Sequence, residues 1–262
     1  MKMAPPPKSV YQRAEELFKL GFSQPAHDVI EVELRQNPDQ GRLLVLQAVI
    51  LHSQRKWAPA MAAAERASVL ICLPVEGQVA LADCYSLLGK KDLARGGYLH
   101  LLEHCLLSRR LYAALYKGFR RLGDPQMALV TCRKALEQFP DDDQAHYGMA
   151  HAMGAIGYPT ESITRVLEKC LQLAPDNDSY RMALAMQLKK MDLPVAAYEL
   201  LKAVDPSALT RASCVHMVSA LLEICTVAGD SDRCAVLEPL LAKARKSGLG
   251  RVAIKRESDS ER

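Results

Sequence analysis

Apolar residues recur along this chain at helical spacing. Leu81, Tyr85 and Leu88 form one stripe, with Ala82 beside it; Tyr112, Leu115, Tyr116 and Phe119 form another. Ala128, Cys132 and Ala135 repeat the spacing, as do Val166, Leu167 and Cys170. No segment alternates apolar and polar residues between hairpin signals, so the pattern predicts helices and no strands. A longer order is laid over the helical one. Gly89, Gly123 and Gly157 follow one another at intervals of 34 residues, and the same interval reaches Arg55 and Gly21 on one side and Met191 on the other. Five residues after these positions stand Ala26, Ala60, Ala94, Ala128, Ser162 and Ala196, all small. Seven residues before them stand Ala14, Ala48, Ala82, Tyr116, Ala150 and Leu184.

This spacing has a physical reading. Each period holds two amphipathic helices joined by a tight turn. The glycine ends the first helix, where a left-handed backbone is often needed. Start signals follow it: Ser23-Gln24-Pro25, Gly123-Asp124-Pro125, Tyr158-Pro159-Thr160 and Asp192-Leu193-Pro194. Proline suits the first helical turn, and Asp or Thr can cap its free amides. The small residue lets the two backbones approach, and Pro38, Pro74, Pro140, Pro175 and Pro206 end the second helices.

A 34-residue helix–turn–helix with small residues at the close-packing positions resembles the tetratricopeptide repeat. The best matches are Leu81-Ala82-x-x-Tyr85 with Gly89 and Ala94-x-x-x-Tyr98, and Tyr112-x-x-Leu115-Tyr116-x-x-Phe119 with Gly123, Ala128, Ala135 and Pro140. Glu33 and Lys169 depart from the pattern where it prefers alanine, Arg55 replaces a turn glycine, and Tyr116 is large where a small residue is usual. The resemblance implies an all-α fold, a right-handed α-solenoid superhelix of stacked helix-turn-helix repeats. Repeats are expected near 7–40, 41–74, 75–108, 109–142, 143–176 and 177–209, with a divergent capping pair over 208–246. Residues 1–7 are expected to be a flexible segment and 247–262 a charged, disordered tail.

The resemblance further implies a non-enzymatic scaffold or adaptor that takes a partner peptide or helix in a groove lined by the first helices. The positions that line it hold Tyr11, Glu15 and Phe18, then Val45, Val49 and His52, then Val79 and Asp83. They continue with Arg110, Lys117, Arg120 and Arg121, with Tyr147 and His151, and with Arg181. The cations Arg110, Lys117, Arg120 and Arg121 share one predicted face. They form either an anchor for an acidic segment, with Tyr147 and His151 beside it, or a solvated face partly neutralised by Glu76, Asp83 or Glu103. Chaperone-binding members of the family grip a C-terminal carboxylate with Lys and Asn on their first helices. Tyr11 and Glu15, Val45 and Val49, Val79 and Asp83, and Ala113 and Lys117 stand in those places here, so this chain does not resemble that clamp. The alternative to partner docking is a self-assembling repeat protein that forms homo-oligomers.

Composition narrows the classes. Aromatic residues are only 5%, and the apolar mass is largely Ala and Leu, which favours helices. Seven basic and three acidic residues lie between Lys243 and Arg262, so the whole net charge of +4 sits there. The rest of the chain is neutral, and nucleic acid is not an expected partner. The eight cysteines form no CxxC pair and read as reduced, buried small residues. No apolar run approaches the roughly 18 residues a membrane span needs, and no secretory signal is visible. The expected location is the cytoplasm. His100 and His104, with Cys105 adjacent, have helical metal spacing but lack a third ligand. Gly89-Lys90-Lys91 lacks the upstream glycine and following hydroxyl of a phosphate loop. No catalytic fingerprint occurs, so no enzyme activity, cofactor, metal or small-molecule substrate is expected. Trp57, the only tryptophan, either packs against a neighbouring turn or serves a partner.

Overall fold

The structure is a computed structural model, and it describes residues 9–212 and 214–246. The flexible segment expected at 1–7, Lys8 and the tail expected at 247–262 lie outside the described residues. Among these the chain is all helical, with no strand. The helices are α1 (Val10–Lys19), α2 (Ser23–Gln36), α3 (Gly41–Ser53), α4 (Trp57–Leu70), α5 (Val75–Leu87), α6 (Lys91–His104) and α7 (Arg109–Leu122). They continue as α8 (Pro125–Gln138), α9 (Asp143–Ile156), α10 (Thr160–Leu173), α11 (Asp178–Lys190), α12 (Pro194–Lys202), α13 (Val215–Ala228) and α14 (Ser231–Lys246), with a 3-10 turn at Pro206–Arg211. Two compact units divide the chain, Met1–Ala135 and Leu136–Arg262, and the boundary falls within α8. Each is a stack of helical hairpins.

The hairpin turns share one closing bond. The amide two or three residues past the helix end reaches back five residues: Phe22 to Leu17, Lys56 to Leu51, Lys90 to Tyr85, Asp124 to Phe119, Tyr158 to Met153, Leu193 to Leu188 and Asp230 to Cys225, at 2.8–3.0 Å. The residue before the donor has positive φ in every case: Gly21, Arg55, Gly89, Gly123, Gly157, Asp192 and Gly229. This is the glycine-terminated helix end expected above. Arg55 is the costly exception, with φ 61° on a residue that has a Cβ. Arg55→Gly is therefore expected to stabilise the N-terminal unit by about 0.5–1 kcal/mol. The urea midpoint should rise with an unchanged slope, and an unmoved midpoint would count against strain at this turn.

The 34-residue register does not run to the end. Gly157, Tyr158 and Pro159 make a turn one residue longer than Gly123-Asp124, so α10 starts at Thr160, and the next positive-φ residue is Asp192 rather than Met191. The buried position then moves by one. Ala26, Ala60, Ala94 and Ala128 are at most 1% exposed, but Ile163 and Ala197 take the place expected of Ser162 and Ala196, and Ala196 is exposed. Other expectations also shift. Thr160 lies inside α10 and caps nothing, whereas Asp124, Asp142 and Asn177 accept amide hydrogens at the starts of α8, α9 and α11. Pro74 opens α5, and Pro206 opens the 3-10 turn. In α5 the buried face is Val79, Ala80, Ala82, Asp83 and Cys84, while Leu88 of the expected stripe is exposed.

In the N-terminal unit the first helices of successive pairs touch one another, α1 with α3, α3 with α5 and α5 with α7. Among the described residues no comparable contact joins α2 to α4 or α4 to α6. A stack whose first helices lie closer than its second helices curves towards the first. The α1–α3–α5–α7 wall is thus the inner surface of that unit.

Candidate functional site

Three first helices of the N-terminal unit bring polar side chains to one place. Asp83 lies mid-way along α5 with its side chain 11% exposed. Its Oδ1 accepts the hydroxyl of Tyr98 from α6 at 2.5 Å and an ion-paired hydrogen bond from Nη2 of Arg121 on α7. The same Nη2 donates to the Tyr98 hydroxyl at 3.0 Å, and Arg121 Nε donates to Ser86 Oγ at 3.2 Å. On the other side, His52 Nε2 on α3 lies 3.4 Å from Asp83 Oδ2. That nitrogen is buried and makes no hydrogen bond. The His52 ring meets Trp57 edge-on with centroids 5.2 Å apart, so the tryptophan packs within its own hairpin and is half-buried. Burial works to raise the Asp83 pKa, but the His52 and Tyr98 contacts and the Arg121 charge outweigh it and hold the carboxyl below its usual range. Tyr98 moves the opposite way, pushed up by burial and by the Asp83 carboxylate.

Of the cations on α7, Arg121 is thus turned to Asp83, while Arg110, Lys117 and Arg120 are exposed. The Arg120 guanidinium sits 5.7 Å from the Tyr116 ring centre. A carboxylate accepts well-aligned forks from such a row, and each exposed pair alone is weak.

Most of the remaining expected groove residues are less open. Val45 and Val79 are buried at 8% and 7% exposure, Val49 is half-buried, and Tyr11, Glu15 and Phe18 on α1 are half-buried. Glu15 pairs with Lys19 at 2.9 Å. In the C-terminal unit Tyr147 on α9 stacks with Tyr180 on α11, centroids 4.9 Å apart, and Tyr180 donates its hydroxyl to Asp143 at 2.7 Å. His151 is exposed, and Arg181 is held by Asp178 at 2.8 Å. Tyr98 escaped the sequence reading as a site residue, because the family pattern places groove residues on first helices and Tyr98 is on a second.

The other chemistry considered is ordinary. His100 and His104 stack at 5.0 Å, and His104 lies near Glu103. The one cluster of three possible metal ligands among the described residues is His27, Asp28 and Glu31, where Gln24 donates to Asp28 and Arg35 to Glu31. No disulfide joins any of the eight cysteines, and burial pushes the Cys84 and Cys170 thiols up to about 12, far from a nucleophile's range. No helix among the described residues is long and apolar enough to cross a membrane.

No family model matches the sequence, and no curated protein matches it. Solved structures do match. The C-terminal part of a TPR repeat-containing protein from Cytophaga hutchinsonii aligns with a TM-score of 0.67 at 13% identity, covering 90% of this chain and 96% of that one. A tetratricopeptide repeat protein from Parabacteroides merdae gives 0.63 at 15% identity, covering 90% and 91%. The fold is that of the tetratricopeptide repeat. YrrB, a TPR protein with an unusual peptide-binding site, gives 0.54 at 15% identity, covering 66% of this chain and 89% of its own. At such identities the likeness concerns the tetratricopeptide backbone, and the side chains of the site stand on their own geometry.

Proposed function

We propose that this protein is a non-catalytic interaction scaffold that docks an acidic peptide or helix of a partner protein on the inner surface of its N-terminal unit. One observation carries the reading: His52, Asp83, Ser86 and Arg121 from three adjacent first helices meet on that surface, and Arg110, Lys117 and Arg120 stand exposed on the same α7. The internal contacts fix the wall, and the exposed cations supply the attraction. Eight cysteines scattered without a CxxC pair or a disulfide suit a reducing compartment, and we place the protein in the cytoplasm. The peptide-binding site of YrrB supports the same use of the fold.

The test is the affinity of a rhodamine-labelled oligoglutamate peptide, measured by polarisation. Changing Arg110, Lys117 and Arg120 together to Ser is expected to weaken binding about tenfold or more and to flatten its salt dependence. Unchanged affinity would refute docking at this face. A second reading, self-assembly, is favoured by exposed apolar residues, with Leu20 at 72% and Phe22 at 55% in the first hairpin turn and Leu93 at 54% in the first turn of α6. Light scattering decides it, since a mass that stays monomeric at every concentration ends that reading.

A further inference from the structure

We infer that His52, Asp83 and Arg121 form a proton-operated latch within the docking surface, so that acidification strengthens the hold on an anionic partner. The inference rests on the docking reading above and concerns its regulation. The geometry is a carboxylate shared between two bases on opposite sides. Arg121 holds Oδ1, and the buried, unbonded His52 Nε2 waits 3.4 Å from Oδ2. With His52 neutral, Asp83 and Arg121 cancel, and Arg121 is folded back against Ser86 and Tyr98.

When His52 takes a proton from solvent, the imidazolium donates from Nε2 to Asp83 Oδ2. The cluster then carries one net positive charge. The carboxylate divides its attraction between two cations that repel each other, and the one nearer water is freed. Arg121 is that one, with its side chain 34% exposed against 27% for His52. It has only to swing away from Asp83 to join Arg110, Lys117 and Arg120. Asp83 faces His52 from α5, with Arg121 of α7 and Tyr98 of α6 on the same carboxylate, and α4 contributes the uncharged Trp57. On α2, which also packs against α3, His27 lies 3.8 Å from Asp28 and 4.0 Å from Glu31, so that charge is met within its own helix. On α1 the ionisable pair Glu15 and Lys19 is internally compensated.

The experiment uses the full chain and the same labelled oligoglutamate peptide. Affinity is measured at about pH 7.5 and about pH 5.5, the range in which an imidazole gains its proton and a glutamate keeps its charge. Trp57 fluorescence is followed in parallel, because a protonated imidazole at its edge quenches the indole and Trp57 is the only tryptophan. The native chain is expected to bind about two- to fivefold more tightly at the lower pH, the effect of one added charge near the ligand in water. Quenching should follow the same midpoint. In His52→Gln most of this ratio and the quenching should vanish. Asp83→Asn, which frees Arg121 at every pH, should bind more tightly than the native chain at about pH 7.5 and gain less than the native chain on acidification. Equal affinity at the two pH values, or a ratio that survives His52→Gln, overturns the latch and leaves docking standing. Absence of peptide binding at both pH values removes docking, and the latch with it.

Discussion

Gly118→Ala is expected to destabilise the N-terminal unit by about 2–3 kcal/mol, although a glycine-to-alanine change inside a helix ordinarily stabilises by about 0.5–1 kcal/mol. The reversal comes from one contact. Gly118 is buried in α7, and a Cβ there would lie 2.6 Å from Cε2 and 2.7 Å from the hydroxyl of Tyr98. A flexible side-chain tip could give way, but Tyr98 cannot. It is fully buried, its ring rests against Phe119 with centroids 5.4 Å apart, and its hydroxyl is fixed by Asp83 and Arg121. To admit the methyl, α7 must withdraw from α6 or the hydroxyl must leave its partners. Urea unfolding followed by Trp57, which lies in this unit, measures the loss. In a Tyr98→Ala background the cost of Gly118→Ala should shrink, since the ring that clashes is gone. A neutral or stabilising Gly118→Ala in the native background would show that the tyrosine yields more readily than its contacts imply.

The same residues explain how far the sequence could be read. The turns were legible because their chemistry is local: a positive φ after a helix selects glycine, and Gly21, Gly89, Gly123 and Gly157 announce it at a fixed interval. Arg55 and Asp192 adopt that conformation without announcing it, because the closing bond to Leu51 or Leu188 and the packing of the hairpin impose it. The slip of one residue at Tyr158-Pro159 was hidden for a related reason. Ser162 and Ala196 are both small, so the lattice of small residues continues in the sequence although Ile163 and Ala197 take over the burial. At the candidate site the first-helix positions pointed to His52, Asp83 and Arg121, but not to their union. Asp83 and Arg121 are 38 residues apart, and a carboxylate in a sequence carries no mark of the guanidinium that will reach it. That pairing depends on how neighbouring hairpins stack, which periodicity leaves open. It also separates Arg121, tied to Asp83, from Arg110, Lys117 and Arg120, the three other expected groove cations of α7.

Asp83→Ala is expected to cost about 2–4 kcal/mol, and the part due to charge should fade in acid. Removing the carboxylate leaves the buried Tyr98 hydroxyl without its acceptor, a loss of about 1–3 kcal/mol. Arg121 adds less, because a side chain one-third exposed can turn to water. Asp83→Asn separates charge from shape, since the amide keeps an acceptor for Tyr98 but offers Arg121 no negative charge. The sign with pH follows from linkage. The folded pKa of Asp83 is depressed below 3.8, so the ionised carboxylate stabilises the fold fully above that value, and this contribution is lost as pH falls through the depressed one. The stability gap between the native chain and Asp83→Asn should therefore be full above about pH 3.8 and should close as pH falls further. Urea midpoints for both proteins across this range, read from Trp57, decide the matter. A gap that is the same in acid as at neutrality would mean that the Asp83 charge is solvated as well in the unfolded chain as between His52, Tyr98 and Arg121, and that the cluster holds the first helices together by shape alone.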